Sequence, residues 1–357
     1  MDEFKIDGQK ISYHIRELSG WLEGERVWPI YVEIAPSGGC NQRCVFCAFD
    51  YLGYKARFID TDSLKGALKQ MAKGGVKSVM FAGEGEPFLH KDIAEIVGYA
   101  RGVGIAAEMT TNGTLLDKAA AEGVLPYLSW LRVSLDAASA RTYARLHRAR
   151  ESDFRQVLEN MKEAVRVKRK NNYPCTLGAQ LLLLKDNYRQ ARELAIILKD
   201  IGLDYLVLKP YSQHPKSKNR LDSGKNYADY QDIGDKLLKL NDNNFKVISR
   251  SRAIQKLEQA REDRPYGNCL ALPFWAYISS QGDVCVCSSF LGDKRYVYGN
   301  IYKEDIRNIY NGLRRKRIIS YFAREFDCGK CRKACRMDEV NRYLWELKHP
   351  GAHINFI

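Results

Sequence analysis

Between Val27 and Tyr211 the chain alternates strand-like and helix-like segments six times, and this alternation limits the folds open to it. VWPIYVEIA, residues 27–35, is rich in β-branched and aromatic residues. TDSLKGALKQMAKGG, residues 61–75, opens on a Thr or Asp cap, runs with a helical period and stops at glycine. SVMFAG reads as a strand, DIAEIVGYARGVG as a helix, and IAAEMTTNG as a strand and turn. LSWLRVSLD is a strand followed by helices to about Lys170; CTLGAQLLLL, NYRQARELAIILKDIG and LDYLVLKP complete the series as strand, helix and strand. Such units predict parallel strands joined by right-handed crossovers. Six are too few to close an ordinary eight-stranded barrel. The expected fold is therefore α/β, an open partial (β/α)6 TIM-like barrel that binds ligands at the C-terminal ends of its strands.

With 357 residues, 45% apolar and 28% charged, the chain is neither disordered nor collagen-like, and is long enough for one large domain and a small one. No stretch nears the roughly 18 consecutive apolar residues of a membrane span. The best, around Leu181–Leu184, ends at Lys185. The opening MDEFKIDGQK has neither the basic nor the apolar region of a signal peptide, so a cytoplasmic location without membrane contact is expected. The formal net charge is +14, and between Asn311 and Arg336 nine basic side chains face two acidic ones, which is half the excess. This balance favours phosphate-bearing partners and equally suits a soluble basic surface.

Ten cysteines in a cytosolic chain do not form a disulfide framework. They group as Cys40, Cys44 and Cys47, then Cys269, Cys285 and Cys287, then Cys328, Cys331 and Cys335; Cys175 stands alone in an apolar stretch as a buried thiol. Nine grouped thiols point to metal at more than one site. Cys40, Cys44 and Cys47 lie on one loop after the first strand, where three thiolates can hold three irons of a 4Fe–4S cube and leave the fourth open. Zinc is the competing reading, but it takes four ligands, and no nearby histidine supplies one.

This Cys-x3-Cys-x2-Cys spacing, with Phe46 before the last cysteine, resembles the radical S-adenosylmethionine (radical SAM) superfamily. Further landmarks of that superfamily recur in order. Gly85-Glu86-Pro87 ends the second strand, where relatives contact the amino group of the cofactor's methionine. Thr111-Asn112-Gly113 follows the third, and Ser134 and Asp136 end the fourth, where a ribose contact is expected. Arg148 lies near a basic residue that relatives place on the cofactor carboxylate, with Arg141, Arg145 and Arg150 as neighbours. The resemblance implies that S-adenosyl-L-methionine binds the open iron of a 4Fe–4S cluster. An external one-electron reductant of the flavodoxin or ferredoxin type drives its cleavage, and a 5′-deoxyadenosyl radical then removes a hydrogen atom from substrate.

The later cysteines resemble the auxiliary-cluster domains called SPASM and Twitch. Cys269 and Cys287 are followed by Cys328-x2-Cys331-x3-Cys335, shorter than the full SPASM block, with no cysteine beyond. The resemblance implies a small C-terminal Twitch/SPASM-like domain with one auxiliary 4Fe–4S cluster on Cys269, Cys287, Cys328 and Cys331. Cys335 can replace one of the last pair, and Cys285 is a spare. Four thiolates would close that cluster to substrate and make it an electron carrier; zinc remains a competing occupant.

The expected division is an N-terminal extension over 1–26, the barrel over 27–211, linker and helices over 212–261, and the iron–sulfur domain over 262–357. The substrate expected is a small polar metabolite, such as a sugar, cyclitol or nucleotide derivative, possibly phosphorylated, with net oxidation through the auxiliary cluster. A peptide or protein substrate is the alternative, although 26 residues before the first strand are too few for a leader-binding domain. A nucleic-acid modifier is a third reading, from the basic run Arg314–Arg317. Alternation places Tyr31 and Glu33 on strand one, Gln180 on strand five, and Lys209 and Tyr211 on strand six as inward candidates. Glu33 and Lys209 are the candidates for setting substrate protonation. Cys285 is the candidate hydrogen donor of a redox-neutral epimerase.

Overall fold

The computed structural model describes residues 4–6, 8–221, 227–259 and 263–355. The last five residues of the turn-rich linker, 222–226, and the end of the helical stretch, 260–262, lie outside the described residues. The six expected strands are β1 (Tyr31–Ile34), β2 (Ser78–Phe81), β3 (Ala106–Thr111), β4 (Leu128–Ser134), β5 (Thr176–Leu183) and β6 (Tyr205–Pro210). They follow α1 (Ile15–Leu22) and are joined by α2 (Thr61–Gly74), α3 (Ile93–Gly102), α4 (Lys118–Val124), the pair α5 (Ala140–His147) and α6 (Glu151–Lys170), and α7 (Ala191–Ile201). Every neighbouring pair from β1 to β6 is parallel. The cap of α2 is Asp60, one residue before the segment read from sequence: its side chain accepts from Ser63 N, and Gly75 closes the helix.

The sheet runs further than six strands. After α8 (Tyr227–Leu237), β7 (Lys246–Ser249) joins β6 in parallel, within the stretch read from sequence as linker and helices. After α9 (Ser251–Glu258), β8 (Trp275–Ile278) pairs in parallel with β1 at the other edge. β9 (Asp283–Cys285) and β10 (Val297–Asn300) continue antiparallel, giving a ten-stranded sheet in the order β10-β9-β8-β1-β2-β3-β4-β5-β6-β7. The β8–β9 turn runs through Gln281 and Gly282. Ser279 N donates to Asp283 O at 2.9 Å, and Gly282 sits at φ +78°, where a Cβ would be strained. The cysteine-rich unit thus grows out of the barrel sheet, and α10 (Ile306–Asn311), α11 (Leu313–Arg324) and α12 (Asp338–Lys348) pack on it.

The main core lies between the sheet and its helices, and continues from Val32 and Leu131 to Phe322 and Cys328. A second cluster joins both ends of the chain: Ile11 and Leu18 meet Phe274 and Leu344 of α12, so the apolar C-terminal segment docks. Phe4 and Ile6 pack on Tyr205, Val207 and Ile248, closing the barrel at its N-terminal end. No described helix is long and apolar enough to cross a membrane.

Candidate active site at the strand ends

The cysteine loop leaves β1 and is held from three sides. Glu86 N donates to Gly39 O at 2.8 Å, and a Cβ on Gly85 would lie 2.3 Å from Gly39 O and 2.4 Å from Ser37 O, so the loop after β2 touches the cysteine loop backbone to backbone. Arg43 N and Val45 N donate to His147 O and Leu146 O at the end of α5. Ser217 Oγ donates to Cys47 O at 3.2 Å, and Asp50, 9% exposed, accepts from Lys218 N and Asn219 N.

The expected landmarks gather here. Glu86 is buried; Oε1 accepts from Thr111 Oγ1 at 2.6 Å and Oε2 from Asn112 N at 2.8 Å. Burial pushes its carboxyl pKa up, against these hydrogen bonds. Glu86 thereby locks the third strand's turn to the second. Pro87 opens the short helix that follows. Asn112 donates to Asn41 Oδ1 at 2.6 Å, beside Cys40. Phe46 packs with Leu146, Leu182 and Tyr211 and meets His147 edge to face at 5.4 Å. Ser134, the last residue of β4, stands in register with Gln180 in the middle of β5, both half-buried.

Two further expected cofactor contacts lie at the ends of β4 and α5. Asp136 is 1% exposed: Oδ1 accepts from Leu182 N at 2.6 Å, while Oδ2 lies 3.4 Å from His147 Nε2 and makes no hydrogen bond among the described residues. Arg148 is the exposed, left-handed C-cap of α5, and among the described residues no hydrogen bond or ion pair ties it to the cysteine loop. The residue that reaches the loop is its neighbour His147, with Nδ1 3.0 Å from Gln42 Oε1 and 3.4 Å from Cys44 Sγ. Burial raises Asp136 to about 7 and lowers His147 to about 3, so the imidazole is held neutral. These partners assign the ring hydrogen to Nδ1, where it donates toward Gln42 and the Cys44 sulfur. The sequence signal for His147 was helical: it is buried at the end of an amphipathic α5, whereas Arg141, Arg145, Arg148 and Arg150 are exposed.

The donor set fits an iron–sulfur cluster. Cys40, Cys44 and Cys47 lie on one loop, close enough that Cys40 and Cys47 each raise the Cys44 thiol pKa further, on top of burial. Burial holds Cys40 at about 11, so cluster assembly displaces thiol protons. In the second group five thiols converge. Cys328 lies within hydrogen-bonding reach of Cys269 and Cys331. Cys287 feels Cys335 and Cys269, and burial pushes Cys335 up to about 12. Backbone amides already point at the sulfurs, Ser289 N to Cys287 at 3.3 Å and Met337 N to Cys335 at 3.4 Å. Cys285 is not among them: it is 2% exposed in a separate apolar cluster with Tyr277 and Leu291.

Of the inward candidates, Glu33 is 5% exposed and ion-paired with Arg336, whose Nη1 is 2.5 Å from Glu33 Oε2 and 2.9 Å from the Tyr31 hydroxyl. Lys209 is enclosed by the barrel; burial first, then Arg332, Arg250, Arg336 and Arg132, push its pKa well below the usual lysine value. Tyr211 turns instead to the cysteine loop, packing on Phe46 and donating to Gln213 Oε1 at 2.7 Å. Within the basic run Arg315 is 2% exposed and donates to Val27 O, Tyr310 O and Pro273 O, and Arg314 donates to Val297 O and Lys294 O. Arg314, Lys316 and Arg317 are exposed. A cavity of about 630 Å³ lies at the opposite end of the sheet, between Lys168, Asp204 and Phe245.

A three-thiol loop on the first strand of an open parallel barrel, with a second thiol group grown from its edge, defines a radical SAM protein with an auxiliary iron–sulfur unit. Residues 34–196 match the family model of the Radical SAM superfamily, and residues 269–336 match SPASM, an iron–sulfur cluster-binding domain. The chain belongs to the radical SAM superfamily and carries a SPASM domain, with 4Fe–4S clusters and S-adenosylmethionine as its cofactors. It is similar to the Fe-coproporphyrin III synthase of Methanosarcina barkeri, 31% identical over 36% of this chain and 31% of that one. It is also similar to the GTP 3′,8-cyclase of Chlorobaculum tepidum, 33% identical over 36% of this chain and 38% of that one. The chain thus spans about a third of the length of these curated relatives. Among solved structures, Streptococcus suis SuiB bound to S-adenosylmethionine superposes with a TM-score of 0.67 at 20% identity, over 94% of this chain and 78% of that one. Native anSMEcpe with bound AdoMet gives 0.61 at 18% identity, over 88% of each chain. These likenesses establish the fold.

Proposed function

We propose that the protein is a radical SAM oxidoreductase that removes a hydrogen atom from a small polar metabolite held inside the barrel, with the auxiliary unit taking an electron from the substrate. The observation that carries this is the contact of Arg336 with Glu33: the segment bearing Cys335 closes directly over the strand ends. Charged side chains such as Glu33 and Arg336 at these strand ends suit a small polar substrate. Two similar proteins are named for nucleotides, the GTP 3′,8-cyclase and an S-adenosylmethionine-dependent nucleotide dehydratase, in line with a nucleotide-like or sugar-like substrate.

When bound, the cluster and S-adenosylmethionine supply a 5′-deoxyadenosyl radical that abstracts hydrogen. The chain's own residues do the rest. Glu86 and the Gly39–Gly85 contact fix the cysteine loop against the turn bearing Asn112. Glu33 and Lys209 flank the substrate space, where a carboxylate and an amine of lowered pKa can hold or move a proton at a substrate oxygen. Arg332 donates to Ser212 Oγ and O at 3.0 and 2.7 Å, pinning the auxiliary unit to the end of β6. We place the reaction in the cytoplasm, where ten thiols stay reduced, with a flavodoxin- or ferredoxin-type electron donor.

Changing Cys40, Cys44 and Cys47 together to Ala is expected to abolish 5′-deoxyadenosine formation with dithionite and to leave the auxiliary iron in place. Continued formation by that variant rejects the reading. One observation favours a second, redox-neutral reading: Cys285 is in register with Tyr277, and Tyr277 with Glu33, so the thiol shares Glu33's face of the sheet. Substrate deuteration separates the two. With deuterium at the abstracted position, oxidation gives a product about three mass units lighter than the labelled substrate and deuterium in 5′-deoxyadenosine; epimerisation gives an isomer in which that deuterium is replaced by one solvent hydrogen.

A further inference from the structure

The solvent side of the first cysteine loop is bordered by exposed cations without carboxylate partners. Residues 36–58 hold Arg43, Lys55 and Arg57 against the single carboxylate Asp50, and residues 212–221 hold Lys216, Lys218 and Arg220 against none. All six cations are exposed, whereas Asp50 is 9% exposed and accepts from Lys218 N and Asn219 N. Contacts with the thiol loop fix where they stand. Gly38 N, two residues before Cys40, donates to Arg57 O at 2.8 Å, and Ser37 bridges to Phe58. Arg43 Nη1 donates to Cys40 O and Gln42 O, and its guanidinium lies 4.3 Å from the Tyr54 ring centroid. Lys216 Nζ lies 5.8 Å from the Tyr51 ring centroid, and Ser217, between Lys216 and Lys218, donates to Cys47 O. Glu84 lines the cleft beside Lys55 and Arg57, but it is 8% exposed and accepts from Ser280 N at 2.9 Å. Among the described residues none of the six cations makes an ion pair. On the outer helices, by contrast, Lys162 pairs with Glu159, Arg166 with Glu163 and Lys236 with Asp232. Phe58, 48% exposed beside Arg57, adds apolar surface to the basic border.

We propose that this face is the docking surface for an acidic protein that carries single electrons, and that the electron reducing the first iron–sulfur site enters through it. The proposal rests on the radical SAM oxidoreductase reading and names where its reductant binds. Like charges gathered on one face without counter-charges draw in an acidic partner and orient it on contact. Apolar surface bordered by charge is the anatomy of a specific interface, and electron-transfer encounters need little area. The cations stand on the cysteine loop itself and on the two segments that touch it, so a docked carrier lies over Cys40, Cys44 and Cys47. At the strand ends, by contrast, the auxiliary unit closes over β1 through Arg336 and Glu33. The step is the transfer of one electron: the carrier is oxidised, the first cluster is reduced, and no bond or proton is exchanged.

The test uses the anaerobically reconstituted holoenzyme, with an acidic flavodoxin and an acidic ferredoxin as probes and titration calorimetry as the readout. Saturable binding of at least one carrier is expected, weakening by about tenfold or more between about 20 mM and about 200 mM salt. The triple variant Lys55→Gln, Arg57→Gln, Lys218→Gln is expected to weaken it by at least about tenfold. The exposed pair Lys316→Ser and Arg317→Ser on α11 is expected to leave it unchanged. With dithionite, a small reductant that needs no docking face, the triple variant should form 5′-deoxyadenosine at the wild-type rate. With the reduced carrier it should be slower by at least about tenfold. Where the triple variant loses iron or slows with dithionite, carbodiimide crosslinking of the wild type decides: carrier carboxylates are expected to join Lys55, Lys216 or Lys218. Binding of neither carrier overturns the proposal. So does equal weakening by the α11 pair, crosslinks confined to other lysines, or a short single-stranded RNA that binds this face more tightly than either carrier. The radical reading is tested apart from this, by 5′-deoxyadenosine formation in the wild type with dithionite; success there with no carrier bound sinks the docking face alone.

Discussion

Arg336 and Glu33 are 303 residues apart in sequence and 2.5 Å apart in space. One is the neighbour of Cys335, and the other stands seven residues before Cys40 on the strand that leads into the first cysteine loop. A single ion pair therefore spans the segments carrying the two thiol groups. Glu33 is buried, while the Arg336 side chain is 46% exposed, so the pair keeps only part of the strength of a fully buried one. Glu33→Gln and Arg336→Met are each expected to cost about 1–3 kcal/mol of stability. In the double variant the costs should be clearly less than additive, measured by thermal melts of the reconstituted protein. Additive costs would show that the contact is incidental.

Gly85 is tested by the smallest possible change. Gly85→Ala puts a methyl 2.3 Å from Gly39 O, and both neighbours are backbone, so the loops must part. The expected outcome is loss of iron from the first site and of 5′-deoxyadenosine formation, with the auxiliary iron retained. Gly66→Ala is the control: it meets nothing within 4 Å inside α2 and should stabilise that helix by about 0.5–1 kcal/mol.

The second thiol group makes a prediction about iron stoichiometry. Five cysteines converge and a 4Fe–4S cube takes four. About eight irons per chain are expected in the wild type, falling to about four in Cys269→Ala, Cys287→Ala, Cys328→Ala and Cys331→Ala. Cys335→Ala and Cys285→Ala should keep about eight. A wild-type value near twelve would indicate a second auxiliary cluster, and loss in Cys335→Ala would move that residue into the ligand set.

Asp338 anchors the auxiliary unit from beneath. Its side chain is 1% exposed and takes Lys256, Tyr266 and Arg342, the last at 2.9 Å. Burial by itself raises its pKa, but Lys256, Tyr266 and Arg342 outweigh burial and hold the carboxyl below its usual value. A depressed folded pKa means the unfolded chain binds more protons as pH falls. The contribution is whole above the unfolded value of about 3.9 and is lost as pH drops through the folded one. Asp338→Asn should therefore cost about 3–5 kcal/mol at neutral pH, because it strands two buried cations. The difference from wild type should shrink only toward the acid limit. Melting temperatures of both proteins across that range check it.

The features legible in the sequence were those set by short-range period and spacing. The three cysteines after β1, the stop of α2 at Gly75 and the six alternating units each depend on residues within a turn or two of each other, so local chemistry decides them. The seventh and eighth parallel strands were not legible. Lys246–Ser249 and Trp275–Ile278 are four residues each, too short to show a period, and they become strands because open sheet edges at β6 and β1 are there to pair with. The site divides the same way. Glu86 and Asn112 are announced by their motifs, but whether Asp136 faces a ligand or His147, and whether Arg148 or His147 meets Cys44, depends on how α5 packs. The Arg336–Glu33 pair depends on a contact between segments 303 residues apart. Sequence separation carries no information about such a pairing; the packing of the auxiliary unit over the strand ends creates it.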